Sequence, residues 1–366
     1  MRILLITDQG PDSQHSAIRG IFDHHLRAQA EVTIVWFSRH QKKTAATPGH
    51  LVLPWRYRRH GGWWRFMPPV RLADFDIVIV RNLFPVLSGL TGMAKRPFRL
   101  GFWESFPHRY RRLYEARQSG RALWRKRAEY AIFRRIEENL VSRCDFYLPI
   151  TATFAREFRP GVAIPMHPLP MGVDVDNLPP IAHRGRSPGP PLRLFYAGAA
   201  DALRGFDFIL PALCSSGVDF VLDIYTFAPS GLLAPRLGSD PRIRILPGLP
   251  RRELLVKMNE YDLGLSLIPP SPLYDVSSPT KTLEYFAMGL PALMTPLPEH
   301  VSLFGELTPL FVPWDHDAIA GGLRRVAALP AATLHDLAAQ GRETVLRERA
   351  YANLAQGLHA FLGTLP

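Results

Sequence analysis

Short apolar runs alternate with helical patterns along the first half of the chain. Runs rich in Ile, Val and Leu are typical of strands that are buried on both faces of a parallel sheet. The predicted strands of this half are 2–7, 31–37, 76–80 and 146–150, and the predicted helices include 18–26 and 121–141. The alternation indicates an α/β domain with a mostly parallel sheet.

A proline-rich break separates this half from the next. Residues 179–191 contain five prolines and two glycines without apolar periodicity, which predicts an interdomain linker. A second α/β series follows, with predicted strands 192–197, 220–225, 243–246, 263–267, 291–294 and 310–312 and predicted helices 208–213, 252–259, 280–288, 318–328 and 332–362. We therefore predict two Rossmann-like, doubly wound domains, an N-terminal domain over 1–178 and a C-terminal domain over 192–349.

The bulk composition agrees with two folded domains. The chain has 366 residues, more than one ordinary doubly wound domain needs, and 47% of them are hydrophobic. The sequence has no run of about 18 apolar residues, so we predict no transmembrane helix. The opening MRILLIT is typical of a first strand rather than of a signal peptide. Cys144 and Cys214 lie far apart without metal-ligand spacing, so we expect neither a disulfide framework nor a zinc site.

The stretch that is most informative about chemistry is 277–296, SSPTKTLEYFAMGLPALMTP. Hydroxyl residues followed by proline predict the start of a helix, and Gly289 predicts its end. A helix N-terminus beside a strand end offers backbone N–H groups to a phosphate. Lys281 and Glu284 are three residues apart, so both can project from one side of the first turn, one towards a diphosphate and one towards a ribose. Taken alone, Glu284 also fits a plain surface position on an amphipathic helix.

This stretch resembles the donor-site helix of the GT-B glycosyltransferases, in particular of glycosyltransferase family 4 and its bacterial polysaccharide branches. Many members have the pattern S-P-x-K-x-x-E-Y-x-A-x-G-x-P here, and the matching residues are Ser278, Pro279, Lys281, Glu284, Tyr285, Ala287, Gly289 and Pro291. The resemblance implies that Glu284 binds the nucleotide ribose and that Lys281, Ser278 and Thr280 face the diphosphate. It also implies two domains facing a cleft, with the C-terminal segment 350–366 crossing back to the N-terminal domain.

Three weaker matches follow the order of the same family. Tyr196-Ala197-Gly198 with Arg204-Gly205 resembles the family's strand, glycine and basic loop, which implies that Gly198 and Arg204 lie at the donor pyrophosphate. The stretch 171–174 is similar to the family's N-G-V-D, which lies just before the interdomain linker. The stretch 245–249 is similar to the family's strand and turn near the nucleotide base.

Two positions depart from the family pattern. Many members have an acidic residue eight positions before the ribose glutamate, where this chain has Val276, with Asp275 one residue earlier. Either Asp275 contacts the donor sugar through a shifted loop, or the sugar is held differently. The usual Arg or Ser after the first-strand glycine is Ala199 here. Retention of anomeric configuration, which is common in the family, is therefore left open.

Candidate catalytic residues of the N-terminal half lie in 102–108, FWESFPH, which follows a predicted strand. Ligands of α/β domains bind at such strand ends, and family members often have a His or an acidic residue in the corresponding loop. An inverting enzyme needs a general base for the acceptor hydroxyl, which Glu104 or His108 would supply; in a retaining enzyme His108 would hydrogen-bond the sugar. His15 and Asp12, after the first strand, are further candidates. A surface role for any of the thirteen histidines is the alternative.

Positive charge is concentrated in the N-terminal half. Residues 1–175 have 28 Lys and Arg against 14 Asp and Glu, a net charge of +14, whereas the remainder has a net charge of −2. Such asymmetry favours an anionic partner for one domain, either a membrane surface or a nucleic acid. A solvated basic face is the alternative.

Arginines and aromatic residues are mixed within 55–71, among them Arg56, Trp63, Trp64 and Arg65. Residues 109–135 add ten basic side chains. This composition suits a membrane interface or single-stranded nucleic acid, and some of the tryptophans can equally cover the core. Because the other half resembles a sugar-nucleotide site, we favour an anionic membrane surface, and a lipid-linked diphosphate acceptor would itself explain the arginines.

These observations predict a hexosyltransferase that moves a sugar from a UDP- or GDP-linked donor to a membrane-associated or polysaccharide-precursor acceptor, in bacterial exopolysaccharide, capsule or lipopolysaccharide synthesis. No paired-carboxylate motif demands a metal, so we expect no metal and no cofactor besides the nucleotide-sugar substrate. We expect a cytoplasmic enzyme that lies on the inner face of the cell membrane. The alternatives are a non-catalytic scaffold that kept the fold, and a nucleotide-sugar epimerase or hydrolase.

Overall fold

A computed structural model describes residues 1–13, 15–59, 71–119, 123–182, 191–200, 202–227 and 240–365. The chain divides into two compact units. Unit 1 comprises 1–171, 276–278 and 351–366, and unit 2 comprises 172–275 and 279–350. Most of the predicted linker, 183–190, lies outside the described residues.

Unit 1 is built on a seven-stranded sheet. Its strands are β1 (Arg2–Ile6), β2 (Glu31–Ser38), β3 (Ala45–Thr47), β4 (His50–Pro54), β5 (Ile77–Arg81), β6 (Arg99–Glu104) and β7 (Phe146–Pro149). They lie in the order β3-β4-β2-β1-β5-β6-β7, and all neighbours are parallel except β3 and β4. The prediction missed β3 and β4, which are joined by a turn at Gly49 with a φ of 72°.

Helices cover both faces of this sheet. They are the π-helix Ile18–Leu26, the 3-10 turns Trp55–Arg59 and Leu72–Asp74, and the α-helices α1 (Phe84–Thr91), α2 (His108–Ser119), α3 (Leu123–Ser142) and α4 (Ala152–Phe158). Successive residues of a strand point to opposite faces. On β1, Leu4 and Ile6 therefore join one buried cluster while Ile3 and Leu5 join the other, which explains why the strand is apolar throughout.

Unit 2 has a fully parallel five-stranded sheet. Its strands are β8 (Leu192–Ala197), β9 (Phe220–Thr226), β10 (Ile243–Pro247), β11 (Leu263–Ser266) and β12 (Ala292–Met294). Their order is β10-β9-β8-β11-β12. The helices of this unit are α5 (Phe206–Cys214), α6 (Arg251–Lys257), α7 (Thr280–Ala287), α8 (Pro298–Phe304), α9 (His316–Ala327) and α10 (Ala331–Glu348), with 3-10 turns at Val175–Asn177, Ala202–Arg204, Met258–Glu260 and Thr308–Leu310.

The last helix, α11 (Tyr351–Thr364), is part of unit 1. It packs against the π-helix and contributes Ala355 and Leu358 to the buried cluster on that face of the sheet. Gly20 of the π-helix lies directly against Tyr351, and a Cβ at this position would overlap the ring. The contact therefore requires glycine.

The helical pattern predicted over 332–362 is divided between two helices. Helix α10 stops before Arg349, whose carbonyl accepts a hydrogen bond of 2.8 Å from the Val173 amide, and α11 begins two residues later. Apolar spacing continues through the break, so periodicity alone does not show it.

The strand predicted over 310–312 is wrong, because Thr308–Leu310 forms a 3-10 turn and Phe311 makes an isolated bridge to Met294. In both units a mostly parallel sheet is covered by helices, which confirms the predicted pair of Rossmann-like domains.

Candidate functional site

The carboxyl end of β8 is the switch point of the unit 2 sheet. From β8 the chain builds β9 and β10 on one side and then returns to build β11 and β12 on the other. In open α/β sheets, ligands bind outside the carboxyl ends of the strands at such a point. Gly198, directly after β8, has a φ of 137° and donates its amide to the Tyr225 carbonyl at 3.0 Å. The predicted glycine thus lies where a ligand is expected.

Lys281 lies at this same edge. Its Nζ is 3.9 Å from the centroid of the Tyr196 ring, and a Cβ built on Gly198 would be 3.5 Å from Nζ. The absence of a side chain at Gly198 therefore leaves the backbone and the ammonium group on one surface. A cation beside an exposed backbone suits an anionic ligand such as a diphosphate.

Tyr285 anchors the helix that carries Lys281. The ring is fully buried, and its hydroxyl accepts a hydrogen bond of 3.2 Å from the Ala197 amide at the end of β8. Gly264 of β11 makes room for the ring, since a Cβ there would lie 2.6 Å from it. Burial raises the pKa of Tyr285 well above its usual value, so the hydroxyl stays protonated. The first turns of α7 are thereby fixed against β8 and β11.

A buried hydrogen-bond chain also holds α7, through the Thr282 hydroxyl. The His300 Nδ1 lies 2.8 Å from the Thr295 carbonyl, which can only accept, so we assign the proton to Nδ1. The neutral ring then accepts at Nε2 from the Thr282 hydroxyl at 2.9 Å, and Thr282 accepts from Ser266 at 2.6 Å. Every group in this chain has a partner, which is what burial demands of polar atoms.

Glu284 is paired with Arg251, at the start of α6. The Arg251 Nε donates to Glu284 Oε1 at 2.7 Å, and the glutamate side chain is 12% exposed. Glu284 therefore does not occupy the plain surface position that was the alternative. Sequence reasoning missed Arg251, which lies 33 residues away along the chain.

Arg204 lies on the loop between β8 and α5. Its guanidinium group is 4.9 Å from the centroid of the Tyr274 ring, which supports it by a cation–π contact. The following residue, Gly205, has a φ of 68° and packs against Trp314, so both its backbone and its surroundings require glycine. The Asp275 amide donates to the Ser271 carbonyl at 2.8 Å, which fixes the turn next to Tyr274.

The remaining predicted donor residues divide between the units. Thr280 is the first residue of α7 in unit 2. Ser278 belongs to unit 1, where its buried hydroxyl accepts a hydrogen bond of 3.2 Å from the Met171 amide. Val276, at the position of the expected acidic residue, is buried in unit 1, and its carbonyl accepts from the Thr151 hydroxyl at 3.0 Å.

In unit 1 the switch point lies between β1 and β5, and a buried ion pair occupies it. Asp8 follows β1 and pairs with Arg81 at the end of β5. Arg81 also lies 2.7 Å from His15 Nε2 and donates to the Ser105 hydroxyl at 2.8 Å. Desolvation and then the Arg81 charge lower the pKa of His15 to about 4, so this ring is neutral near neutral pH. Asp12 lies exposed in the neighbouring turn.

Glu104, the predicted alternative base, is buried and paired. Arg159 donates to both of its oxygens, at 2.9 and 2.5 Å, and the Tyr147 hydroxyl donates at 2.9 Å. Although burial opposes its charge, the Glu104 and Glu137 carboxylates raise the pKa of Arg159 above the usual range. Both oxygens of Glu104 are therefore bound inside the unit, and a catalytic role for this residue stays a prediction.

His108, at the start of α2, lines a cavity of about 440 Å³. Desolvation lowers its pKa below the ordinary imidazole value, so the ring is neutral and can accept a proton at neutral pH. The charged residues that line the cavity are Arg58, Arg109, Arg111, Arg112 and Arg159 with Glu104, Glu115 and Glu137. This excess of arginine suits an anionic ligand.

Of the predicted membrane residues, the structure describes only Arg56, which is exposed and lies 5.2 Å from the centroid of the Tyr57 ring. Trp63, Trp64 and Arg65 lie outside the described residues. Across the described residues, no helix is both long and apolar enough to cross a membrane.

No protein-family model matches the chain, and no curated protein is significantly similar to it. Many solved structures are similar. An α,α-trehalose-phosphate synthase (UDP-forming) from Burkholderia xenovorans, in complex with glucose-6-phosphate, has a TM-score of 0.66 at 14% identity over 99% of this chain and 100% of that one. A glycosyltransferase from Rickettsia africae has a TM-score of 0.66 at 11% identity over 99% and 98%.

A trehalose-6-phosphate synthase, studied for the mechanism of glycosyl transfer with retention, has a TM-score of 0.67 at 13% identity over the whole of both chains. At such low identity these similarities show the fold alone, which is the GT-B fold. Membership of glycosyltransferase family 4 stays a prediction.

We expect Glu104→Gln to destabilise the protein by about 3–5 kcal/mol, because it removes the main partner of the buried Arg159 charge. Urea unfolding measures the loss. Glu115→Gln is the matched control, since Glu115 pairs with Arg111 on the exposed surface of α2, and its cost should stay within about 0.5 kcal/mol. A Glu104→Gln protein of full stability without transfer activity would show that the carboxylate is catalytic instead.

We also expect the buried His300 to make folding pH-dependent. Burial lowers its pKa to about 4, so the unfolded chain binds a proton below about pH 6.5 while the folded protein does not. The resulting stability is present above pH 6.5 and is lost as the pH falls towards 4, on the order of 3 kcal/mol in all.

Urea unfolding between about pH 7 and pH 4 tests this dependence. His300→Gln should lower the stability at pH 7 by about 1–3 kcal/mol, because the paired hydroxyls lose their partner. It should also flatten the decline at acid pH, because the buried imidazole that takes up the proton is removed. His335→Gln, at an exposed position of α10, is the control. An unchanged decline in the His300 variant would contradict the assignment of a neutral ring.

Proposed function

We propose that the protein is a glycosyltransferase that binds a nucleotide-sugar on unit 2 and an anionic acceptor on unit 1. The observation that supports this most is the position of Lys281 against Gly198 at the switch point of the unit 2 sheet. The same helix carries Glu284, held by Arg251. A cation and a carboxylate one turn apart match the two polar parts of a nucleoside diphosphate, its phosphates and its ribose.

Each donor residue has a chemical role in this proposal. Lys281 and Arg204, with the N-terminus of α7, neutralise the diphosphate as it leaves, so the residues themselves supply the positive charge that a metal would otherwise provide. Glu284 accepts hydrogen bonds from the ribose hydroxyls, and Arg251 holds it in position. The similar synthase is described as UDP-forming, which supports a UDP-linked donor, with GDP as the alternative.

The acceptor in this proposal carries a phosphate and binds in the arginine-lined cavity of unit 1. The similar synthase was solved with glucose-6-phosphate, which supports a phosphorylated acceptor. The chemistry of a lipid-linked sugar diphosphate fits the same arginines. We therefore retain a membrane-associated or polysaccharide-precursor acceptor, and an enzyme that works on the inner face of the cell membrane, as parts of the proposal.

Because both oxygens of Glu104 are bound by Arg159 and Tyr147, we assign proton transfer to His108 rather than to Glu104. As a neutral imidazole it can accept the proton of the acceptor hydroxyl in an inverting reaction or hydrogen-bond the donor sugar in a retaining one. A similar synthase has been studied for glycosyl transfer with retention, which favours the second role. The anomeric configuration of the product distinguishes the two.

We expect Glu284→Ala to weaken nucleotide binding about 10- to 100-fold, because a charge-assisted hydrogen bond to the ribose is lost. Calorimetric titration with UDP, GDP and dTDP measures this and identifies the base. Glu306→Ala, at an exposed position of the same unit, should bind as the unchanged protein does. Equal affinity in the Glu284 variant would refute the donor site, and binding without transfer to any acceptor would support a scaffold.

We expect His108→Ala to lower the transfer rate about 100-fold or more while nucleotide affinity stays the same. Because the pKa of His108 is lowered, a reaction that uses it as a base should keep its rate from neutral pH down to about pH 6.5 and fall only at more acid pH. Steady-state rates across this range provide the test. A His108 variant with full activity at every pH would exclude the residue from the reaction.

A further inference from the structure

Helix α3 exposes large apolar side chains along one face. Trp124, Ile132 and Ile136 are 74%, 59% and 47% exposed. Successive residues of an α-helix are rotated by about 100°, so these three positions fall within an arc of about 120°. Single exposed apolar residues are common on proteins, but a stripe of them on one helix face marks an interaction surface.

The same face is cationic. Arg125 and Arg135 are exposed and project within the arc that holds the apolar residues. The acidic residue nearest to this arc, Glu129, is paired with Lys126 at 2.7 Å. We call Trp124, Arg125, Ile132, Arg135 and Ile136 the α3 face.

The opposite side of α3 is accounted for by packing. Glu137 and Val141 are buried there, and Tyr130 meets Tyr110 of α2 with ring centroids 5.7 Å apart. The α3 face is therefore turned away from the interior of unit 1.

Helix α2 extends the positive charge. Arg111, Arg112 and Arg117 are exposed on this helix, which packs against α3. Arg111 and Arg112 also line the cavity that is proposed to bind the acceptor. Exposed arginines thus lie on both of these helices, and two of those on α2 also line the cavity.

We propose that the α3 face docks unit 1 on a lipid surface rich in anionic headgroups. An indole ring lies well at headgroup depth, isoleucines enter the acyl boundary, and arginines reach the phosphates while their stems stay among the apolar groups. If two copies of this chain met through the α3 face, Arg125 and Arg135 of one copy would face the arginines of the other. The repulsion between these like charges opposes self-association. Nucleic acid would leave the isoleucines without a matching surface. Because the acceptor is proposed to be membrane-associated, this docking extends the proposed function and rests on it.

Vesicle sedimentation tests the proposal with the full chain and without nucleotide. The unchanged protein should bind vesicles that contain phosphatidylglycerol, should bind pure phosphatidylcholine far less, and should dissociate as salt rises from about 0.05 to 0.5 M. The variant Trp124→Ser with Ile132→Ser and Ile136→Ser should lower the partition coefficient at least about tenfold. The variant Arg125→Gln with Arg135→Gln should bind less and depend less on salt.

The matched control is Val256→Ser with Val301→Ser, because both valines are 49% exposed and lie in unit 2. This control should bind vesicles as the unchanged protein does. The exposed positions of all these residues leave the core intact, and equal thermal midpoints confirm it. Nucleotide titration of the same preparations separates the two proposals: loss of vesicle binding with unchanged nucleotide affinity concerns the α3 face alone.

Three results would overturn the docking proposal. The unchanged protein fails to bind anionic vesicles, or the α3 serine variant binds them as well as the control does. In the third, the unchanged protein is a dimer that the serine variant converts to a monomer, which would make the α3 face a contact between copies. If the protein binds vesicles but no nucleotide, the docking proposal is upheld and the proposed glycosyltransferase function is refuted.

Discussion

The position of α7 against the unit 2 sheet decides where the charged residues of the candidate donor site lie. Tyr285 ties the helix to the end of β8, and the hydroxyl of Thr282 ties it to His300. These contacts involve uncharged groups only, and they depend on a neutral imidazole. A proton on the Nε2 of His300 would turn an acceptor into a donor facing Thr282 and would place a charge in the interior. With the helix held in this way, Lys281 is presented to Gly198 and Glu284 to Arg251.

In the described part of unit 1, buried charges are paired with opposite charges. Glu104 with Arg159 and Asp8 with Arg81 occupy the ends of its central strands, where an α/β domain usually presents reactive groups. Removal of one partner would leave the other charge buried and unpaired, which would destabilise the unit. His108 instead lines the cavity with a neutral ring. The proposal therefore gives proton transfer to His108 rather than to a paired carboxylate.

The chain pattern predicted what is encoded locally. Most strands of the two sheets, though not β3 and β4, and the spacing of Lys281 and Glu284 lie within single elements, so apolar runs and one helical turn suffice to find them. Arg251 and Arg159 reach their carboxylates over 33 and 55 residues, and no local pattern announces such pairs. Glu104 was predicted as a base because a carboxylate after a strand looks the same in sequence whether it faces solvent or an arginine. On α3, apolar residues at helical spacing resemble a core-facing stripe, and only the fold shows that three of them face outwards.

The structure shows which arginines of the N-terminal half give it a positive charge towards the outside. Arg81 and Arg159 are neutralised inside the unit by the carboxylates they bind, and they contribute nothing to the field outside. The excess therefore comes from exposed side chains, and α2 and α3 carry a dense set of them beside the cavity. A surface of this kind raises the local concentration of anionic ligands in its neighbourhood. It would attract a headgroup and a phosphorylated acceptor by the same charge, so docking and acceptor capture would weaken together as salt rises.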